Sequence, residues 1–125
     1  MNHKALFLAS LLAGLGVILG AFGAHALKQQ VSQHMLEVWH TGVTYQMWHA
    51  LGLGIIGMQS TRSTALAWSG KLMFAGILLF SGSLYLLVLT NIPILGMITP
   101  FGGVSFIFSW GLLAWHSWQS RHVTA

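Results

Sequence analysis

Apolar residues run almost unbroken from Ala5 to Leu27, with Ser10 and His25 the exceptions. As a helix rising about 1.5 Å per residue, that run crosses a hydrocarbon core of about 30 Å and predicts a first span over 5–27. A signal peptide is the rival reading, because Asn2-His3-Lys4 imitates a basic leader and Ala24-His25-Ala26 a cleavage site. The run exceeds the roughly 7 to 15 apolar residues of a signal core, and further spans follow, so a retained helix is expected. Lys28 to His40 is polar, yet Met35, Leu36, Val38, Trp39 and Val43 keep helical spacing behind Ser32, a candidate N-cap. The second helix therefore starts ahead of its span, 41–58, as a polar extension. After the polar turn Gln59 to Thr64, Ala65 to Thr90 forms a third helix that crosses over 69–90, with Lys71 placed to snorkel. Asn91-Ile92-Pro93 breaks it, and Thr99-Pro100 reads as N-cap and N1 of a fourth, spanning 100–118. Residues 92–98 are themselves apolar, and the pattern leaves open whether they are embedded. The pattern predicts an all-α fold, a four-helix transmembrane bundle forming one integral membrane domain over 1–125.

Composition agrees. Only 5% of the residues are charged, against roughly 25% in soluble domains, too few to make a water-facing surface. A nucleic-acid binder clusters its cations on one face, whereas Lys4, Lys28, Arg62, Lys71 and Arg121 lie apart, flanking apolar segments. With four crossings, Lys4, Arg62, Lys71 and Arg121 share one side, and Lys28 and Glu37 share the other. The positive-inside rule then places both termini in the cytoplasm. Trp68, Trp115 and Trp118 fall at the cytoplasmic headgroup level and Trp39 at the outer one. Cysteine is absent, so disulfide and thiolate chemistry are too.

Alternating traverses bring four polar stretches toward one leaflet, the last of them Thr99, Pro100, Gly102 and Gly103 at the outer start of the fourth helix. His25 ends the first span on the outer side. Thr41, Tyr45 and His49 recur every fourth residue, with Gln46 on the adjacent row, so a helix presents one polar stripe. Ser81, Ser83 and Tyr85 lie past the middle of the third span. Toward lipid such a stripe is expensive, so it faces the bundle. Three roles are open to it: interhelical hydrogen bonding, a ligand pocket with His25 at its mouth, or a metal site. Gly16, Gly20 and Gly23 form a small-residue ridge on the first helix, expected to pack near Ser81 and Gly82; Gly82, Gly102 and Gly103 are expected to serve helix packing in the same way.

Chemistry is harder to find. Glu37-x-x-His40 has the spacing used in di-iron bundles, but those need several further carboxylates and Glu37 is the chain's one acid. No metal site, cofactor or catalytic residue is assigned. His25 and His49 lie at different depths, which argues against paired haem ligation. Proton-coupled transport ordinarily needs a deep ionisable group, for which His49 is the sole candidate in the stripe.

The segments "GAFGAH" (20–25), "TGxxYQxxH" (41–49), "FSGSLY" (80–85) and "TPxGGxxF" (99–106) resemble, in order, the motifs of the YgdD/YwdK-like small membrane proteins, domain-of-unknown-function family 423. Trp110-Gly111 departs from the Gly-Trp order of that pattern. The resemblance implies a multi-pass protein of the bacterial cytoplasmic (inner) membrane without an assigned activity, and groups His25, Tyr45, Gln46, His49, Ser81, Ser83 and Tyr85 in one pattern. The expectation is an accessory protein, more plausibly not an enzyme, whose partners are the lipid bilayer and a lipid-like or quinone-like ligand. The alternatives are a structural subunit of a homo-oligomer or larger membrane complex, and a small-solute transporter.

Overall fold

The apolar runs fold as helices because nothing in them interrupts the backbone ladder. The two prolines, Pro93 and Pro100, fall where a turn of 3₁₀ helix begins and in the first turn of the last helix. A computed structural model describes residues 1–121; the last four of the domain expected over 1–125 lie outside the described residues. Helix α1 spans His3–Phe22, capped by the Asn2 side chain, which accepts from the Ala5 amide at 3.1 Å, and runs on through a π-helical segment, Gly23–Leu27. Helix α2, Gln33–Gly57, begins at Ser32 as its spacing predicts: the Ser32 hydroxyl accepts from the Met35 amide at 3.1 Å. Helix α3, Thr64–Gly76, is capped by Ser63 and passes through a second π segment, Ile77–Ser81, into α4, Gly82–Thr90. Asn91 stops this rod in the left-handed conformation (φ 57°), its amide returning to the Leu87 carbonyl at 2.8 Å. A 3₁₀ turn, Pro93–Met97, leads into α5, Thr99–Ser120.

The described residues are thus all-helical, with four rods and no strand. Three rods, His3–Leu27, Thr64–Thr90 and Pro93–Ser120, are long and apolar enough to cross a membrane. By the same measure α2 falls short: it is 25 residues long, but Gln33, His34, Glu37, His40, Gln46 and His49 dilute its apolar content. Burial explains the difference. Helix α1 lies along one side of α2, α3 and α4 lie along another, and α5 packs on α3. The central rod therefore meets protein on several sides, while α1 buries only Ala5, Ala9 and Gly16. Leu11, Ile18, Leu78, Leu86, Phe101 and Ile107 all point outward from the other rods. Large apolar side chains exposed in such numbers suit a lipid environment and not water.

The rods alternate in direction. Asn2 donates its amide to the Gly57 carbonyl at 2.8 Å, and an Arg62 Nη donates to the Met1 carbonyl at 3.0 Å. Thr61 meets Ser120 hydroxyl to hydroxyl at 3.3 Å. The start of α1, the α2–α3 turn and the end of α5 therefore share one end of the bundle.

Two sequence expectations change. Trp39 is not a headgroup-facing indole; it is buried, and its Nε1 donates to the Leu19 carbonyl at 2.8 Å. Thr99 is the first residue of α5 instead of its cap, and its hydroxyl is directed to Ser83 at 2.6 Å.

Candidate functional site

Three of the four polar stretches meet, those of α2, of the third rod and of the start of α5; His25 does not join them. Gln46 is buried on α2 and uses both ends of its amide: Nε2 donates to the Leu12 carbonyl of α1 at 2.8 Å, and Oε1 accepts from the Tyr85 hydroxyl of α4 at 2.6 Å. One side chain thereby ties three helices together. A turn earlier on α2, the Gly42 carbonyl accepts from Ser81 at 2.6 Å. The absence of a side chain at Gly42 also lets the Tyr85 ring approach to 2.9 Å of where a Cβ would stand. Tyr85 lies against Trp39, ring centroids 4.7 Å apart. Ser83 donates to the Phe80 carbonyl at 2.9 Å and pairs with Thr99 at 2.6 Å, fastening α4 to the start of α5.

Tyr45 and His49 belong to an aromatic stack. The His49 ring lies parallel to Phe106 with centroids 3.5 Å apart, and Tyr45 packs on Phe80 at 4.4 Å. His49 Nδ1 is 2.7 Å from the Tyr45 carbonyl. A carbonyl can only accept, so Nδ1 carries a proton. Thr41 and His25 stand apart from these residues. Thr41 is exposed and donates to its own helix at the Glu37 carbonyl, 3.0 Å away; His25 is exposed at the end of α1 and does not turn toward α2.

The glycines divide similarly. A Cβ at Gly16 would strike Met47, one at Gly20 would reach Val43 at 3.4 Å, and one at Gly23 would enter the Trp39 indole. The ridge therefore faces α2, not Ser81 and Gly82. Gly102 presses on the Phe80 backbone, so α5 and the second π segment meet main chain to main chain. Gly82 has open space beside it, and at Gly103 the nearest atom, of Phe80, is 4.0 Å away; neither permits a close approach.

A second polar set escaped the sequence reading. Ser69 and Ser109 exchange hydroxyl-to-carbonyl bonds at 2.7 and 2.6 Å, and Ser105 donates to the Leu72 carbonyl at 2.7 Å. His116 is buried, 2.7 Å from the Ser63 hydroxyl through Nδ1 and 3.4 Å from Thr61 through Nε2. The signal was present: Gly102, Ser105, Ser109, His116 and Ser120 follow helical spacing on α5. A Ser–His pair suggests a nucleophile and its base, but an orienting acid is missing. Glu37, the chain's one acid, lies about 30 Å along α2 from the turn that holds Ser63.

A cavity of about 400 Å³ opens at this same end, between α1 and α3 with α2 as its floor; Lys4, Arg62 and Lys71 are among its lining residues.

Comparison with known proteins gives a consistent picture. The family model described as Protein of unknown function (DUF423) matches residues 19–103. A UPF0382 membrane protein of Staphylococcus aureus (strain bovine RF122 / ET3-1) is 54% identical over 109 residues, 86% of this chain and 89% of the relative. The UPF0382 membrane protein YwdK of Bacillus subtilis (strain 168) is 52% identical over 108 residues, 84% of this chain and 88% of the relative. A Staphylococcus epidermidis (strain ATCC 12228 / FDA PCI 1200) UPF0382 membrane protein is 50% identical over 109 residues, with the same coverage as the S. aureus protein. No solved structure matches the chain.

Proposed function

Because the chain belongs to the family described as Protein of unknown function (DUF423), and its relatives carry the name membrane protein, we propose that it is a small non-enzymatic subunit of the bacterial cytoplasmic membrane. It crosses four times as one domain, with both termini in the cytoplasm and the first part of α2 outside. The polar stripe of α2 is its internal fastening, and its outward apolar faces are free to meet lipid or a larger assembly. One observation carries this reading: among the described residues, no buried side-chain nitrogen or oxygen lacks a hydrogen-bond partner. Gln46, Tyr85, Ser81 and Ser83 are already engaged with one another, with backbone carbonyls or with Thr99. The same satisfaction supports a fourth crossing, because the groups that lower the apolar content of α2 at its core are turned onto protein. Charge supports the orientation, since Lys4, Arg62, Lys71 and Arg121 belong to the half of the bundle that holds the start of α1, the α2–α3 turn and the end of α5.

Reporter fusions after Gln30, Ser60 and Gly96 test the topology: outside, inside and outside are expected, and an odd number of crossings overturns it. Gln46→Leu tests the fastening through loss of stability in detergent, with co-purifying small molecules unchanged.

A second reading keeps a lipid-like or quinone-like ligand. Tyr45 and His49, stacked with ring centroids 6.0 Å apart, retain one hydroxyl and one ring nitrogen that are not fully buried and bond to no described residue. Loss of a co-purifying apolar molecule on His49→Ala, without loss of folding, would favour it.

A further inference from the structure

The cavity at the terminal end is the strongest feature outside the polar stripe. Three of the chain's five cations line it, Lys4 of α1, Arg62 of the turn and Lys71 of α3, and no acid does. The one acid, Glu37, is about 24 Å along α2 from Leu53 in the cavity floor. Most of the remaining lining is apolar, Ala5 and Leu8 on α1, Leu53 and Ile56 on α2, Leu66 and Phe74 on α3, with Asn2, Gln59 and Ser63 the polar exceptions. A cationic set and a hydrocarbon-like set thus adjoin in one groove.

The cations are placed for a common level. Arg62 is held there by its bond to the Met1 carbonyl at 3.0 Å. Lys71 lies seven residues into α3, about 10 Å along it, but its ammonium turns back over the Trp68 ring, 4.7 Å from the centroid. The charge of Lys71 therefore lies nearer the start of α3 than its own backbone does. About 400 Å³ accommodates a polar headgroup and the start of a chain, not a whole lipid. The remaining chain length would leave sideways between α1 and α3.

We propose that this groove seats the phosphate headgroup of an anionic glycerophospholipid of the cytoplasmic leaflet, with Lys4, Arg62 and Lys71 around the phosphate and the upper acyl chain against Leu8, Leu53 and Phe74. The assignment rests on the membrane orientation given above, and its test does not read topology. Protein purified whole in neutral detergent is mixed with equal amounts of phosphatidylglycerol and phosphatidylcholine, and retained lipid is measured by native mass spectrometry. Phosphatidylglycerol is expected to be retained at least about fivefold over phosphatidylcholine, a ratio the double variant Arg62→Gln/Lys71→Gln abolishes. Lys28→Gln, at the opposite end, should leave it intact. Ala67 is an exposed residue of the cavity lining, so Ala67→Phe fills the groove while leaving every cation. It is expected to remove retention, which separates a seated lipid from diffuse attraction to charge.

Equal retention of the two lipids by the unaltered protein overturns the proposal, whatever the variants do. So does retention that survives Ala67→Phe in protein with an unchanged melting temperature. Displacement of phosphatidylglycerol by equimolar glycerol 3-phosphate would instead identify a soluble phosphate as the occupant, and would equally overturn the lipid assignment.

Discussion

Gln46 offers the most direct measurement of what fastens the bundle. Gln46→Leu keeps the volume and removes two interhelical bonds, to the Leu12 carbonyl at 2.8 Å and from Tyr85 at 2.6 Å. Interhelical hydrogen bonds in membranes average about 0.6 kcal/mol and reach about 1.7, so the pair is worth about 1 to 3 kcal/mol. The two halves are unequal. The Leu12 carbonyl keeps its own α1 bond, whereas the half-buried Tyr85 hydroxyl loses its acceptor. Tyr85→Phe removes one bond and should cost about 0.6 to 1.7 kcal/mol. The double variant should then be less destabilised than the two singles together, by about 0.6 kcal/mol or more. Reversible unfolding in mixed micelles, followed by circular dichroism, gives all four stabilities. Additivity to within about 0.3 kcal/mol would refute the Gln46–Tyr85 tie between α2 and α4.

Three other outcomes follow from the same geometry. Gly102→Ala forces a methyl onto the Phe80 backbone and should destabilise by about 1 to 3 kcal/mol, while Gly82→Ala, with open space, should be neutral or gain up to about 1 kcal/mol; thermal midpoints in detergent that fail to separate the two would contradict the main-chain contact. Ser63→Ala removes both the α3 cap and the bond to His116, and a loss of about 1 to 2 kcal/mol is expected by the same melt; an unchanged midpoint would show the latch to be idle. Asn91 holds a left-handed conformation, so Asn91→Gly should be tolerated and Asn91→Val should cost about 1 to 2 kcal/mol, with equal stabilities the contrary result.

Much of this architecture is legible in periodicity alone. Helix limits followed from caps and breakers at Ser32, Asn91 and Pro100, and the meeting of Gln46, Ser81, Tyr85 and Thr99 followed from alternating direction, whereas the Gly16 to Gly23 ridge packs on α2 and not near Ser81. What failed was rotation about each helix axis. Depth puts His25 at the mouth of a pocket formed with α2, but in the π segment Gly23–Leu27 it is exposed and outside the polar set. Trp39 suggested an interface by its position, yet Gly23 makes room for it inside. Ser69, Ser105 and Ser109 were passed over because a hydroxyl that donates to a carbonyl needs no side-chain partner, and the acceptor is invisible in the sequence.

That last habit of the molecule reaches beyond its present sequence. Trp39, Gln46, Ser69, Ser81, Ser105 and Ser109 each donate a hydrogen bond to the main chain of a neighbouring rod. An acceptor of that kind survives almost any replacement at its own position, so Leu12, Leu19 and Leu72 are held by packing alone while their counterparts are held by the bond as well. Mutational tolerance should accordingly be lopsided, with intolerant donors facing permissive sites, and paired substitutions across these junctions should be scarce. Methods that search for compensating exchanges would miss the joints that hold this bundle together.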